Sequence, residues 1–222
     1  MDKHERTSTT PFLLQAIADR LWPTLARLSA SKSTSRVLFT APERGSGTST
    51  IAAAAALGLA QNLRVAIALV ETDLERPSLA DTLALASSPG LTDVLEGKTP
   101  LASALQTVEG VPGLRVLTAG TARAPIAGEL ATSMARALFA ELTQMHRLVF
   151  FDAAPALDSS SARLLCQQVD GAVLVIRAGE THKERAGEAL RAIDGAGANV
   201  IGTIVNRYSS DLPFGIGERM AG

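Results

Sequence analysis

The chain has one cysteine among its 222 residues, Cys166. A single thiol excludes an internal disulfide and any metal site built from several cysteines. Within Ala-Arg-Leu-Leu-Cys it is expected to be a small buried group. Aromatic residues are scarce, at 4%, so a hydrophobic fraction of 46% must come mainly from Ala, Leu, Val and Ile. Such a core suits a sheet covered by alanine-rich helices better than an aromatic-rich sandwich of two sheets. Neither sign of charge is in excess: 21 basic residues face 22 acidic ones, for a formal net charge of −1. That balance gives no overall case for nucleic acid or an anionic membrane surface as a partner. The histidines, His4, His146 and His182, lack metal-ligand spacing. No apolar run reaches the roughly 20 residues that span a bilayer, and the longest, Ile51 to Ala60, is about half that. Met1 to Arg6 contains no signal-peptide core. The expectation is a cytoplasmic protein that does not itself insert into a membrane.

What is present is an alternation. The length suits one domain with short tails. Residues 1–34 read as a polar segment and a helix: Leu13, Ile17, Leu21, Leu25 and Leu28 recur at helical spacing, interrupted by Pro23. Residues 35–208 read as the domain proper, and 209–222 as a flexible tail. Apolar strands are expected at Val37–Thr40, Val65–Val70, Leu114–Leu117, Leu148–Phe151, Gly171–Ile176 and Val200–Val205. Helices are expected at Ser49–Asn62, Glu129–Met145 and Glu180–Ala196. Strands alternating with helices imply right-handed crossovers and a mostly parallel sheet flanked by helices, a three-layer α/β domain. Continuous rather than alternating apolar strands fit a sheet buried on both faces. Ligands of such folds bind beyond the carboxyl ends of the strands, which directs attention to Glu43–Thr50, Glu71–Pro77, Asp152–Leu157 and Asn206.

The segment Thr40-Ala41-Pro42-Glu43-Arg44-Gly45-Ser46-Gly47-Thr48-Ser49-Thr50 leaves an expected strand and opens an expected helix, the context of a phosphate-binding P-loop. Gly45 and Gly47 let backbone N–H groups close around a phosphate, and the helix start at Thr48, Ser49 and Thr50 attracts anions. Ser49 is placed to offer a hydroxyl to Mg²⁺. Against the pattern G-x-x-x-x-G-K-[ST], Pro42 replaces the first Gly and Thr48 replaces the Lys. The lysine's charge-assisted hydrogen bonds are each worth about 1.5–3 kcal/mol. Losing one electrostatic stabiliser typically costs about 10²–10³ in rate. Arg44 would substitute only by folding back over the loop.

The remaining strand ends resemble those of bacterial tyrosine kinases, which belong to the MinD/ParA-like P-loop class. Leu69-Val70-Glu71-Thr72-Asp73-Leu74-Glu75-Arg76-Pro77 is similar to that family's hydrophobic-D-x-D-L-R-x-P segment. Gly90-Leu91-Thr92-Asp93-Val94-Leu95-Glu96-Gly97 resembles its G-L-[ST]-D-V-L-x-G stretch, and Val116 to Gly120 its L-P-x-G stretch. Leu148-Val149-Phe150-Phe151-Asp152-Ala153-Ala154-Pro155 resembles its Walker B strand. The resemblance implies ATP or ADP with Mg²⁺ as ligands. Gly45 to Thr50, Arg76 and Asn206 would contact the nucleotide, with Asn206 reading adenine. Ser49, Asp73 and Asp152 would hold the metal, and Asp73 and Asp152 would serve catalysis if any remains. Each also has a plainer role open to it: Asp73 and Asp152 as caps or loop acids, Arg76 in a surface ion pair, and Asn206 satisfying loop backbone.

The departures share a direction. Thr48 replaces the lysine, Glu71 the first acid, Ala154 the first Walker B proline, and Ser161 a further Asp. Ala16, Asp19 and Trp22 stand where the family carries its ring-assembly motif, and Tyr208 is the only tyrosine. The resemblance therefore implies a degenerate member serving exopolysaccharide or capsule export. It would dock on the cytoplasmic segment of a transmembrane polysaccharide co-polymerase, as a monomer or dimer rather than a ring. Two alternatives stand: an active kinase or ATPase with an unusual loop, and a MinD/ParA-type positioning ATPase.

Overall fold

The computed structural model describes residues 36–121 and 128–207. The helix expected between Phe12 and Leu28, the positions Ala16, Asp19 and Trp22, and Tyr208 with the tail lie outside the described residues.

Strand β1 (Arg36–Thr40) leads through the phosphate loop into helix α1 (Thr48–Leu63) and back to β2 (Ile67–Glu71). Three short helices follow, α2 (Leu79–Leu83), α3 (Leu91–Leu95) and α4 (Leu101–Ala104), then the hairpin of β3 (Gln106–Val108) and β4 (Val111–Leu117). Next come a 3₁₀ turn (Glu129–Ala131), α5 (Ser133–Met145), β5 (Leu148–Asp152), α6 (Ser160–Cys166), β6 (Gly171–Arg177), α7 (Lys183–Gly195) and β7 (Val200–Asn206). They form one seven-stranded sheet in the order β3-β4-β2-β5-β1-β6-β7. Only the β3–β4 pair is antiparallel. The expected three-layer, mostly parallel α/β architecture is what the chain adopts.

The continuous apolar strands divide their side chains between two cores, because successive residues point to opposite faces. In β1, Val37 and Phe39 face α1, while Leu38 faces the side covered by α5, α6 and α7. In β5, Phe150 meets Phe39 edge-to-face with ring centroids 5.1 Å apart on the first side. On the other, Phe151 meets Phe139 of α5 at 4.7 Å. Each such pair adds about 0.5–1.5 kcal/mol beyond its buried area. In α1 five consecutive alanines, Ala52 to Ala56, are all fully buried. A run of five covers every side of a helix, so α1 has no solvent face there, and its small side chains let it lie close on the sheet.

Three expectations change. The helix expected at Glu129–Met145 is broken: Thr132, in extended geometry, caps α5 by accepting from the Ala135 N–H. A capping threonine supplies the oxygen that a helix start lacks, so the helix begins afresh there. The strand expected from Val65 starts at Ile67, because Arg64 closes α1 in the left-handed conformation (φ 53°). The edge strand β3 was not expected. It is three residues long and mixed in polarity, too short to carry a period. Cys166 is buried as expected, with its Sγ donating to the Ala162 carbonyl and its thiol pushed up to about 11 by burial.

Candidate nucleotide site

Parallel pairing sets β1, β2 and β5 side by side with their carboxyl ends together: Glu71 lies opposite Asp152, and Asp152 opposite Phe39. The loops leaving these strands form one edge, at the point where the connections diverge to either side of the sheet.

From β1 the chain enters the phosphate loop. Thr40 Oγ1 donates to the Ala154 carbonyl at 2.7 Å, tying β1 to the Walker B loop. Gly45 and Gly47 both take positive φ, 86° and 85°. Gly47 caps α1 with no side chain to accept from the first turn, and the first helical bond is Ile51 N–H to the Gly47 carbonyl. The amides of Thr48, Ser49 and Thr50 thus precede the helical ladder, and no acidic residue occupies that turn. Ser46 is buried, and its hydroxyl donates to the Glu43 carbonyl at 3.0 Å.

Asp152 ends β5. Its backbone carbonyl accepts from Thr72 N–H, Thr72 Oγ1 and Asp73 N–H at 2.8, 2.8 and 3.2 Å. Its side chain is 1% exposed, and neither carboxylate oxygen has a hydrogen-bond partner. Burial raises it to about 8, with Glu71 and Asp73 adding repulsion. The Ser49 hydroxyl is near enough to oppose that rise, although the two do not meet in hydrogen-bond geometry. A buried carboxylate with no partner is costly unless a cation, proton or water satisfies it.

Glu71 has the opposite fate. One oxygen accepts from the Ser78 and Leu79 N–H groups, the latter at 2.7 Å, and the other from Ala119 N–H at 3.0 Å. It clasps the start of α2 to the end of β4, a structural task that occupies both oxygens. Burial is the main cause of its raised pKa, which the three backbone bonds oppose. Asp73 is held by Arg44 Nη1 at 2.8 Å on one oxygen and Arg76 N–H at 3.2 Å on the other. Arg44 therefore does not fold over the loop; Nη2 also reaches Glu75 at 2.9 Å. Arg76 itself is exposed. Ser161 shares with Thr72, Asp73 and Ala154 the wall of a cavity of about 10 Å³, room for about one water.

Asn206, at the end of β7, donates from Nδ2 to the Ser46 carbonyl at 2.8 Å and accepts from Arg207 N–H. A Cβ on Gly47 would lie 2.2 Å from that Nδ2. The amide thus bonds loop backbone, the plainer of its two roles. Asp93 is likewise structural: it accepts from Gly90 N–H at 2.8 Å, from Thr121 N–H and Oγ1, and from Ser88 Oγ. Burial pushes its pKa up, yet these bonds outweigh it and the net shift is downward. Sequence reasoning placed Thr72 and Glu75 within the strand-end segment Glu71–Pro77 but gave neither a role. Neither occupies a spacing that marks a ligand, and only the folded loop shows their contacts.

The geometry brings Gly45 to Thr50, Asp73, Asp152 and Asn206 to one edge. Two positive-φ glycines, of which Gly45 is open, uncapped helix amides and an unpartnered buried carboxylate suit a magnesium nucleotide. Thr48, with no charge where the ammonium is expected, is the misfit. Among the described residues no helix is long and apolar enough to cross a membrane, and no group of three or more His, Cys, Asp or Glu forms a metal cluster.

No protein-family model matches the chain. Tyrosine-protein kinase YwqD of Bacillus subtilis is 32% identical over 178 residues, covering 80% of this chain and 74% of that protein. The putative tyrosine-protein kinase CapB of Staphylococcus aureus is 26% identical over 175 residues, 79% of this chain and 76% of that one. Among solved structures, the VpsO kinase domain matches with a TM-score of 0.82 at 26% identity, covering 94% of this chain and 100% of that one. MinD of Pyrococcus horikoshii, complexed with Mg-ADP, shares the fold at a TM-score of 0.66 and 19% identity, over 79% of this chain and 71% of that one. With a relative 32% identical over four-fifths of its length, the chain belongs to the bacterial tyrosine-protein kinase family.

Proposed function

We propose that the chain is a nucleotide-binding but catalytically weakened member of its family. It acts in capsule or exopolysaccharide production, regulating or supporting a transmembrane polysaccharide co-polymerase. The observation that carries this reading is the contrast within one site. Asp152 is kept, buried and unpartnered, while the loop cation is replaced by Thr48. Backbone amides at Gly45 to Thr50 would cradle the phosphates. Ser49 and Asp73 would hold Mg²⁺ directly, and Asp152 through water. Bound there, Mg²⁺ would supply positive charge against that of the phosphates. Arg76 and Asn206 would contact the nucleotide, Asn206 after exchanging its bond to Ser46 for one to adenine. The protein would sit in the cytoplasm, at the inner membrane only through its partner.

Calorimetric titration with Mg·ATP and Mg·ADP, run on wild type beside Thr48→Lys, tests the site. Tighter binding and faster phosphotransfer in the variant would support a competent site lacking one charge. Wild-type transfer at about 1–100 s⁻¹, the ordinary range of kinases, would sink the weakened reading. It would favour an active enzyme with an unusual loop, the alternative to which the intact Asp152 also lends support. Titration with the co-polymerase's cytoplasmic segment tests the partnership, and an absence of binding would remove it.

A further inference from the structure

Arg44 is the only basic residue between Ala41 and Thr50. Its guanidinium forks onto two acids of the loop after β2: Nη1 to Asp73 at 2.8 Å and Nη2 to Glu75 at 2.9 Å. These bonds raise its already high pKa although burial opposes them, so the charge is permanent. The side chain is 28% exposed. It borders a cavity of about 340 Å³ together with Glu43, Ser46, Arg177, Glu180 and His182. Arg177, the other arginine of that wall, is bonded to Glu180 at 2.7 Å. The next residue, Gly45, has positive φ and nothing within 4 Å of the place a Cβ would take. The backbone can turn there without displacing a neighbour.

Both oxygens of Asp73 are in use, one by Arg44 and one by the Arg76 amide. Each oxygen keeps a second lone pair, but a metal ion at Asp73 would lie against the Arg44 guanidinium. The Arg76 amide is fixed by the backbone, whereas the Arg44 side chain can swing. A divalent cation beside a guanidinium also repels it. We propose that Arg44 is the counter-charge for the phosphate chain of a nucleoside di- or triphosphate in this loop. It stands in for the ammonium absent at Thr48, is held in reserve on Asp73 and Glu75, and passes to the phosphates when Mg²⁺ takes Asp73. The inference rests on the nucleotide reading of the loop given above. It makes Mg²⁺ and nucleotide bind with positive coupling, since the cation frees the group that holds the anion.

The test is titration of the full chain with Mg·ADP and Mg·ATP by calorimetry, with thermal melts to confirm folding. Arg44→Ala loses about tenfold or more in affinity, the worth of a charge-assisted bond. Adding Thr48→Lys to Arg44→Ala restores it. Glu75→Gln, which loosens the reserve without touching Asp73, tightens binding by about two- to fivefold. A purely structural tie predicts the reverse for Glu75→Gln: unchanged or weaker binding. If Arg44→Ala binds like wild type while Thr48→Lys binds more tightly, the role of Arg44 is refuted and the nucleotide site stands. If no variant binds, Thr48→Lys included, the nucleotide reading falls and this inference with it. Should Arg44→Ala fail to fold, Glu75→Gln decides alone: tighter binding supports the exchange, and unchanged or weaker binding overturns it.

Discussion

Replacing Asp152 by asparagine keeps the shape of the side chain and removes its titration. In the fold this carboxyl is pushed up to about 8 from its ordinary value of 3.8, chiefly by burial. The folded chain therefore keeps a proton that the unfolded chain gives up near pH 4. Stability is fully present below the unfolded value and is lost as pH rises, until the folded group also ionises near pH 8. One pH unit in that window is worth about 1.4 kcal/mol. Between pH 6 and 8 the wild type should lose about 2–3 kcal/mol through this group, or about 5–10 °C in melting temperature for a chain of this size. Glu71, raised in the same direction, stays in both proteins, so the difference between their melting curves reports Asp152 together with its repulsion by Glu71. Melts at half-unit steps from pH 5.5 to 8.5 measure it. Absolute stability is free to differ between the two proteins; the slope carries the test. Parallel curves would refute the protonated, unpartnered Asp152. Saturating Mg²⁺ and ADP should flatten the wild-type slope, because a cation then compensates the carboxylate.

Gly47→Ala places a Cβ 2.2 Å from Asn206 Nδ2 at a φ of 85°. It should cost about 2 kcal/mol or more by denaturant titration, and adding Asn206→Ala should recover the steric part; strict additivity would show that the two do not touch. Arg64→Gly, at the left-handed end of α1 (φ 53°), should stabilise by about 0.5–1 kcal/mol, the relief of a strained cap less the added freedom of the unfolded chain. Glu71→Ala leaves the Ser78, Leu79 and Ala119 amides without their acceptor; a loss of about 3 kcal/mol is expected in thermal melts, and an unchanged midpoint would remove the clasp.

The sheet was legible because its strands are buried on both faces and so run apolar without interruption. The element ends were less so, since caps decide them rather than periodicity. Thr132 stops one apparent helix, and Arg64 adopts a left-handed backbone that no residue preference announces. The short helices α2, α3 and α4 escape a search for helical period because each completes little more than one turn. Buried carboxylates hold α2 and α3 instead. Glu71 takes the first amides of α2, and Asp93, within α3, closes back on Gly90 and Thr121. A motif can mark those acids as notable, but sequence alone does not say that they bind backbone rather than a ligand.

The two acids opposite one another across β2 and β5 show how far a single side chain can redirect a site. Glu71 and Asp152 share a register position, both are buried, and each disfavours the other's charge. Glu71 has one methylene more than the aspartate its family position carries. Its carboxylate meets three amides beyond the strand end, so its valences are spent inside the fold. Asp152, shorter and flanked by the phosphate loop, meets none. Asp152 is therefore the acid of this edge left without a hydrogen bond, while Asp73 is held by Arg44 and the Arg76 amide. An aspartate at 71, one methylene shorter, would return a second unsatisfied carboxylate to the same edge. On this reasoning the exchange at position 71 and the loss of the ammonium at position 48 are matched. With one cation gone from the loop and one acid withdrawn into the scaffold, the edge would keep a balance of charge suited to the Mg²⁺ and phosphate proposed for it.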